Sequence, residues 1–268
     1  MNSLESRLAT ELHSYERVVV AFSGGVDSAT LASSALRALG RDRMLAVTAD
    51  SDSLATGELE HCADLARQWD MPWQSVATNE LSNTNYVANS GDRCYWCKDA
   101  LMDALEPIAA AIDATITLGV NIDDLGDHRP GQEAARKRGA RFPLVDAGLH
   151  KSDIRELAKR WGLPVWDRPA MPCLSSRVPY GTPVTINVLT RIDRAELELR
   201  RIGFNDLRVR HYGDTARIEV PSHEMAKVVA NSEDIVTSMQ RIGYLYVTLD
   251  LAGLRSGNLN AALSNERA

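Results

Sequence analysis

Two glycines flanked by hydroxyls, Ser23-Gly24-Gly25-Val26-Asp27-Ser28, follow the apolar run Val18-Val19-Val20-Ala21-Phe22. They precede a helical pattern whose apolar positions Leu31, Ala35, Leu36 and Leu39 share one face up to Gly40. A turn between strand and helix leaves backbone N–H groups unpaired at the positive end of the helix dipole, and glycine lets a ligand approach the main chain. That combination predicts an anion site, with phosphate as its usual guest. The string has neither the lysine of the Walker loop nor the spacing of the dinucleotide fingerprint. The charge of a bound polyphosphate therefore falls to the backbone of Gly24, Gly25 and Val26, the hydroxyls of Ser23 and Ser28, and Mg²⁺ near Asp27. The alternative is a tight connection that binds nothing, but six ordered residues are more specific than a lone pair of glycines.

A second candidate is Cys173, in Arg168-Pro169-Ala170-Met171-Pro172-Cys173-Leu174-Ser175-Ser176-Arg177. A thiol is a useful nucleophile as thiolate, a form that guanidinium groups stabilise, and Arg168 and Arg177 are near in sequence. The alternative is a buried, inert cysteine. Cys94 and Cys97 form a Cys-x-x-Cys pair, which suits zinc, an iron–sulfur cluster or a redox disulfide. Zinc would want four ligands, and Cys62 falls in a predicted helix where burial is the default. In a third reading, residues 93–98 are a loop beside a substrate, with Trp96 for stacking. Asp124 and Asp127 have metal-ligand chemistry, although an Asp-rich loop is commonly just solvated.

The elements that must position these groups are legible in outline. The chain has 268 residues, enough for one large core or two modest ones, and its 36 acidic and 30 basic residues argue against a general nucleic-acid binder. The longest apolar runs have the length of strands, the first seventeen residues read as an amphipathic helix, and no export signal accompanies the four cysteines. The expectation is a cytoplasmic enzyme without membrane or nucleic-acid partners. Strand patterns at 44–49, 73–77 and 115–120 alternate with helical ones at 56–69 and 98–112, the signature of an α/β fold: a parallel sheet with helices on both faces. Ligands of such sheets lie beyond the C-terminal ends of the strands, so the loops 23–28, 50–53 and 121–131 should converge. Ala21, Thr48, Asp50, Ser51, Gly119 and Asn121 are the further candidates for the nucleotide site. A helix at 151–161 follows, then 164–183, which is dense in proline and predicts irregular structure. Beyond 185, a helix at 188–202, strands at 207–211 and 216–220, a helical region around Met225, Val228 and Val229 and a strand at 244–249 predict a smaller α+β domain. The expected division is 1–183 for the parallel-sheet domain with the anion loop and 184–268 for the smaller domain.

The first string resembles the pyrophosphate-binding loop of the ATP pyrophosphatases, the PP-loop superfamily with its adenine nucleotide α-hydrolase-like fold. The ordered set is more specific: Ser-Gly-Gly-Val-Asp-Ser at 23–28, Arg-Cys-Tyr-Trp-Cys-Lys at 93–98, Asn-Ile-Asp-Asp-Leu-Gly-Asp-His-Arg-Pro-Gly at 121–131, Lys-Ser-Asp-Ile-Arg at 151–155 and Cys-Leu-Ser-Ser-Arg at 173–177. Arg-Val-Arg at 208–210, Ala-Arg-Ile-Glu-Val at 216–220 and Asp-Leu-Ala-Gly-Leu-Arg-Ser-Gly at 250–257 complete it. Across nearly the whole chain this resembles the LarE-type sacrificial sulfur transferases.

The resemblance implies ATP-dependent sulfur insertion into pyridinium-3,5-biscarboxylic acid mononucleotide, for the nickel-pincer nucleotide cofactor, by a closed homo-oligomer. A substrate carboxylate becomes an acyl adenylate, Cys173 displaces AMP, and loss of the Cβ–S bond leaves sulfur on the substrate and dehydroalanine at 173. Glu196 is the candidate base for the Cα proton, set against an ordinary exposed helix glutamate. In the alternative route, Cys94, Cys97 and Cys173 hold a 4Fe-4S cluster whose open iron carries sulfide. The substrate's phosphate and carboxylates need cations: Arg208 and Arg210, which alternate along a strand, with Arg255, and Glu219 orienting one of them. Competing readings are a tRNA thiolation enzyme, which would want a broad basic face, an amidating ligase like NAD or GMP synthetase, in which Cys173 is dispensable, and a nucleotide-binding regulator.

Overall fold

Val18, Val19 and Val20 are all fully buried, as a strand covered on both faces requires. Val18 and Val20 join one core cluster with Leu8, Leu31, Ala35 and Ile154; Val19, pointing the other way, joins a second with Met102, Leu105 and Ile116. In the computed structural model, which describes residues 3–126, 130–255 and 258, the chain forms two compact units, one of residues 1–80 and 94–171, the other of residues 81–93 and 172–268.

In the first unit the order is α1 (Ser3–His13), β1 (Val18–Ala21), α2 (Val26–Leu39), β2 (Met44–Asp50), α3 (Glu58–Gln68) and β3 (Trp73–Ala77). After α4 (Thr84–Ala88), which belongs to the second unit, come α5 (Arg93–Ala111), β4 (Thr115–Leu118), α6 (Pro130–Lys137), α7 (Pro143–Asp146) and α8 (Lys151–Arg160). The four strands are parallel in the order β3-β2-β1-β4, with Val19 opposite Leu45 on one side and Ile116 on the other. The chain leaves β1 toward β2 and later returns to its far side at β4, so the β1/β4 boundary is the topological switch point where ligands of open sheets bind. The helix expected from residue 98 begins five residues earlier, at Arg93, so the Cys-x-x-Cys pair lies on a helix and not in a loop.

The second unit continues with α9 (Ile186–Arg201), β5 (Arg208–Tyr212), β6 (Thr215–Glu219), α10 (Met225–Ala230), α11 (Ser232–Ile242) and β7 (Tyr246–Leu249). β6 pairs antiparallel with β5 and parallel with β7, giving a small mixed sheet whose core holds Leu199, Val209, Ile218, Ile235, Met239 and Tyr244. Its division from the first unit differs from a cut at 183/184. Residues 81–93 fold with the proline-rich segment: Val184 N–H donates to the Val87 carbonyl (2.9 Å), Gly181 N–H to that of Asn89 (3.1 Å), and Asn89 Nδ2 donates to the carbonyls of Pro179 (2.7 Å) and Thr182 (2.9 Å). Side-chain amides thus replace regular pairing where prolines lack N–H groups, a long-range contact that composition does not reveal.

Candidate active site

The anion loop is built by β1 and α2. Phe22 N–H donates to the Val47 carbonyl (2.8 Å), and the chain then turns through Ser23, Gly24 and Gly25 into α2. Gly24 has φ +68°, and a Cβ there would lie 3.0 Å from both Cys62 Sγ and His61 Cδ2, so glycine is required for conformation and for space. Gly25, extended, precedes α2 without a side-chain cap, leaving the first-turn N–H groups to an outside acceptor. Ser28 Oγ accepts from Ser23 N–H (3.1 Å) and lies 3.1 Å from Ser23 Oγ and from the Gly25 carbonyl. That hydroxyl knits the loop together.

Across the switch point, Gly119 passes so close to α2 that a Cβ would lie 2.8 Å from Ser28 N and 3.0 Å from Asp27 C. Two residues on, Asn121 Nδ2 donates to Asp27 Oδ1 (3.3 Å), while Lys151 Nζ pairs with Asp27 Oδ2. Lys151 is aimed there by its own backbone. Its N–H donates to Asp123 Oδ2 (2.7 Å), and Asp123 Oδ1 contacts His150 Nδ1 (2.7 Å). That contact holds the Asp123 carboxyl below its ordinary value and raises His150. Asp124 Oδ2 accepts from Asn121 N–H (3.1 Å); Asp127 lies outside the described residues.

Thr48, at the end of β2, is an internal strut: it donates to the Phe22 carbonyl (2.8 Å) and accepts from Trp73 Nε1 (2.8 Å). Asp50 is exposed beside it. Ser51 is tied to Ser53 (2.8 Å) and to Glu80, a buried carboxylate that also accepts from Thr78 Oγ1 (2.9 Å). On the other side of the loop, the first turn of α3 presents Glu58, His61 and Cys62. Arg168 bonds Glu58 Oε1 (2.6 Å) and approaches the Gly24 carbonyl (3.5 Å), so it braces the anion loop of its own unit. Burial pushes the Cys62 thiol up to about 11, in keeping with an inert core cysteine.

Cys94 is exposed and Cys97 half-buried in the first turn of α5, where Trp96 packs edge-on to Tyr95 (5.2 Å between centroids). Gly131 abuts this turn, its Cβ position 2.6 Å from the Cys94 carbonyl. Two thiols at this spacing are half of a zinc or cluster ligand set. Among the described residues no three His, Cys, Asp or Glu side chains gather as metal ligands.

In the second unit Cys173, half-buried, opens a 3-10 turn over Leu174–Arg177. Its carbonyl accepts from Ser176 N–H (2.9 Å) and from Arg177 (3.1 Å). Arg177, 1% exposed, also donates to the Pro172 carbonyl and to Ser176 Oγ (3.0 Å), and forks onto Glu196 at 2.8 and 3.1 Å. Arg93 and Arg210 hold the same turn, through the carbonyls of Ser175 (2.8 Å) and Ser176 (2.7 Å). Glu196 is neither an exposed helix glutamate nor an available base. It is 0% exposed, and its oxygens take the Arg177 fork, Arg200 (3.1 Å) and Val209 N–H (3.1 Å). Nor does Arg177 point a free charge at the thiol, since a carboxylate and main-chain carbonyls occupy its fork.

Arg208 and Arg210 differ sharply despite their alternation. Arg210 is buried against Glu219 Oε2 (2.8 Å), and Glu219 also serves Arg217 (3.1 Å) and Asn258 (2.6 Å). Arg208 donates to the Arg255 carbonyl (3.1 Å) and has no carboxylate within salt-bridge distance among the described residues; burial and the neighbouring Arg210 and Arg177 lower its pKa. It is the cation an anionic ligand would best satisfy. Arg255 is exposed nearby, bonded to Asn258 Oδ1 (3.1 Å). Sequence reasoning passed over Lys151, His61 and Glu80 as site residues. A signal existed for Lys151: an aspartate inside an anion loop needs a cation close by.

A parallel sheet with an uncapped glycine turn at its switch point is the nucleotide-binding unit of the PP-loop α/β proteins, and the NAD synthase family profile matches residues 1–91. An uncharacterised protein of Synechocystis is 45% identical over 252 residues, 93% of this chain and 94% of the relative. The pyridinium-3,5-bisthiocarboxylic acid mononucleotide synthase of Lactiplantibacillus plantarum is 36% identical over 261 residues, 97% of this chain and 95% of the relative. A glutamine-hydrolysing GMP synthase component from Sulfurisphaera tokodaii is 24% identical over 202 residues, 69% of this chain and 52% of the relative. The chain belongs to the LarE-type sulfur transferases, and it is an ATP-dependent sulfur transferase. Among the described residues no helix is long and apolar enough to cross a membrane.

Proposed function

We propose that the chain thiolates a carboxylate of a pyridinium mononucleotide, as the name of its Lactiplantibacillus relative implies, with Cys173 as the sulfur source. The substrate carboxylate attacks the α-phosphorus of ATP and pyrophosphate leaves. The Cys173 thiolate displaces AMP to form a thioester. Removal of the Cα proton then expels the thiocarboxylate from Cβ, leaving dehydroalanine. The anion loop and α2 N-terminus hold the polyphosphate, Lys151 supplies the side-chain cation that the 23–28 string lacks, and the exposed Asp50 suits the ribose hydroxyls. Mg²⁺ fits Asp27, because that ion usually takes one or two carboxylates and completes its shell with phosphate oxygens and water; when bound it neutralises phosphate charge. Arg208 and Arg255 receive the acidic groups of the substrate. Exposed apolar side chains in the second unit, Val229, Leu245, Tyr246 and Leu251, support self-association.

The observation that carries the reading is Cys173: half-buried, on a turn whose carbonyls are clamped by three arginines, in the same unit as the under-neutralised Arg208. Intact mass spectrometry after incubation with ATP, Mg²⁺ and the dicarboxylate nucleotide tests it. The expected product is a chain about 34 Da lighter at residue 173, one per turnover. Full-rate thiolation by Cys173→Ala would overturn it. The match of residues 1–91 to the NAD synthase family favours an amidating reading for that stretch; ammonia-dependent AMP release with Cys173 unchanged would be its mark.

A further inference from the structure

The ring of His61 lies against the inner side of the anion loop. Its Cδ2 is 3.0 Å, and its Nε2 3.5 Å, from the point where a Gly24 Cβ would be. Nε2 is buried and has no hydrogen-bond partner among the described residues. An orphaned ring nitrogen directly behind an anion loop is costly unless some state of the protein uses it. The loop that covers it is the one whose N–H groups await an acceptor.

We propose that His61 is a proton-linked positioning residue of the loop, neutral without anion and protonated when a polyphosphate settles on the other side of Gly24. The groups around the ring fit this role. Burial favours the neutral form, as does Arg168 from the segment after α8. Glu58 and Asp64 of α3 and the Gly24 backbone oppose them, and Cys62 beside the ring stays a neutral thiol. The balance places the free histidine below its ordinary value. A polyphosphate brings several negative charges to the loop, enough to reverse that balance. The added charge would lie behind the loop, out of contact with the ligand, stiffening Gly24 and drawing the anion in through the backbone. Arg168 has one partner already in Glu58, which leaves His61 as the group whose charge responds to occupancy.

This rests on the nucleotide reading of the loop, and the test separates the two. The probe is inorganic pyrophosphate without metal, titrated into the full chain, with the six histidines followed by NMR and the His61 signal assigned by its loss in His61→Gln. The expected result is a His61 titration midpoint below 6.5 that rises by about one unit on saturation with pyrophosphate. At pH 6.5, His61→Gln should bind pyrophosphate about two- to fivefold more weakly than the parent, and the gap should close as pH rises toward about 9, where the ring is neutral in both states. The NMR arm uses the unaltered chain, so a folding defect in the variant leaves it intact. If pyrophosphate binds and the His61 midpoint stays put, this inference is overturned and the nucleotide reading stands. If neither pyrophosphate nor ATP binds the parent chain, both fall together.

Discussion

Replacing Glu196 by Gln separates two roles for the carboxylate that holds Arg177 of the Cys173 turn. Glu196 and Arg177 are 0% and 1% exposed and share a two-point contact, with Arg200 and Val209 N–H on the same carboxylate. Removing one charge of a buried pair costs about 3–5 kcal/mol, because the other charge is left uncompensated. The amide keeps one acceptor for Arg177 and for Val209, so the lower end applies, about 3 kcal/mol. Spread over a unit of roughly 110 residues, that lowers its melting point by about 10 °C or more. Urea unfolding followed by far-ultraviolet circular dichroism and calorimetry of the full chain measures it. Intact mass under turnover conditions reads the chemistry. A strut predicts an early unfolding transition and slow thioester formation, since the Cys173 turn loses its anchor. A base predicts unchanged stability and a substrate adduct accumulating on Cys173. An unshifted midpoint with a trapped adduct would refute the reasoning from burial.

Gly119→Ala should be damaging although glycine there has no unusual φ, since the new methyl would press on Ser28 N at 2.8 Å; overpacking of this kind costs about 1–3 kcal/mol, and ATP affinity should fall with it in calorimetry. Iodoacetamide at pH 8 should label Cys94 quickly and Cys62 only after unfolding, because a buried thiol with a value of about 11 is thiolate to about one part in a thousand at that pH; peptide mapping reads the order. The Asp123–His150 contact should hold α8 best in a bounded pH range. His150 is raised, so its contribution is complete below about 6.5 and fades as pH climbs through the raised value; Asp123 is lowered, so its contribution holds above about 3.9 and disappears as pH falls. Asp123→Asn should return the His150 NMR midpoint to about 6.5.

The parallel sheet and its loop were readable because their signals are local: a β-branched run, a glycine turn and a 3.6-residue apolar stripe occupy consecutive positions. Charged residues were harder. Arg208 and Arg210 alternate as a strand requires, but alternation says nothing of which one meets a carboxylate; that depended on Glu219, on the neighbouring strand. Glu196 carries the helical spacing of a surface residue, and only the tertiary fold shows two arginines closing over it. The crossing of 81–93 into the second unit rests on Asn89 amide bonds ninety residues ahead, beyond any window of periodicity.

On the proposed route Cys173 is destroyed by its own reaction, so it should be a residue the fold can lose, and its surroundings meet that condition. Its carbonyl is fixed by Arg177 and by Ser176 N–H, the next carbonyls by Arg93 and Arg210, while the thiol is half-buried and belongs to no core cluster. The turn is therefore shaped by bonds to main-chain oxygens, and these survive conversion of the residue to dehydroalanine. Cys173→Ala should accordingly unfold within about 0.5 kcal/mol of the parent, as for a substitution outside the core, while Cys62→Ala, which leaves a cavity beneath Gly24, should lose about 1 kcal/mol or more. Chemical denaturation of the two variants side by side checks the contrast. A Cys173→Ala chain destabilised as much as Cys62→Ala would mean that the sulfur helps hold the turn, and a residue with that duty is poorly suited to be given away.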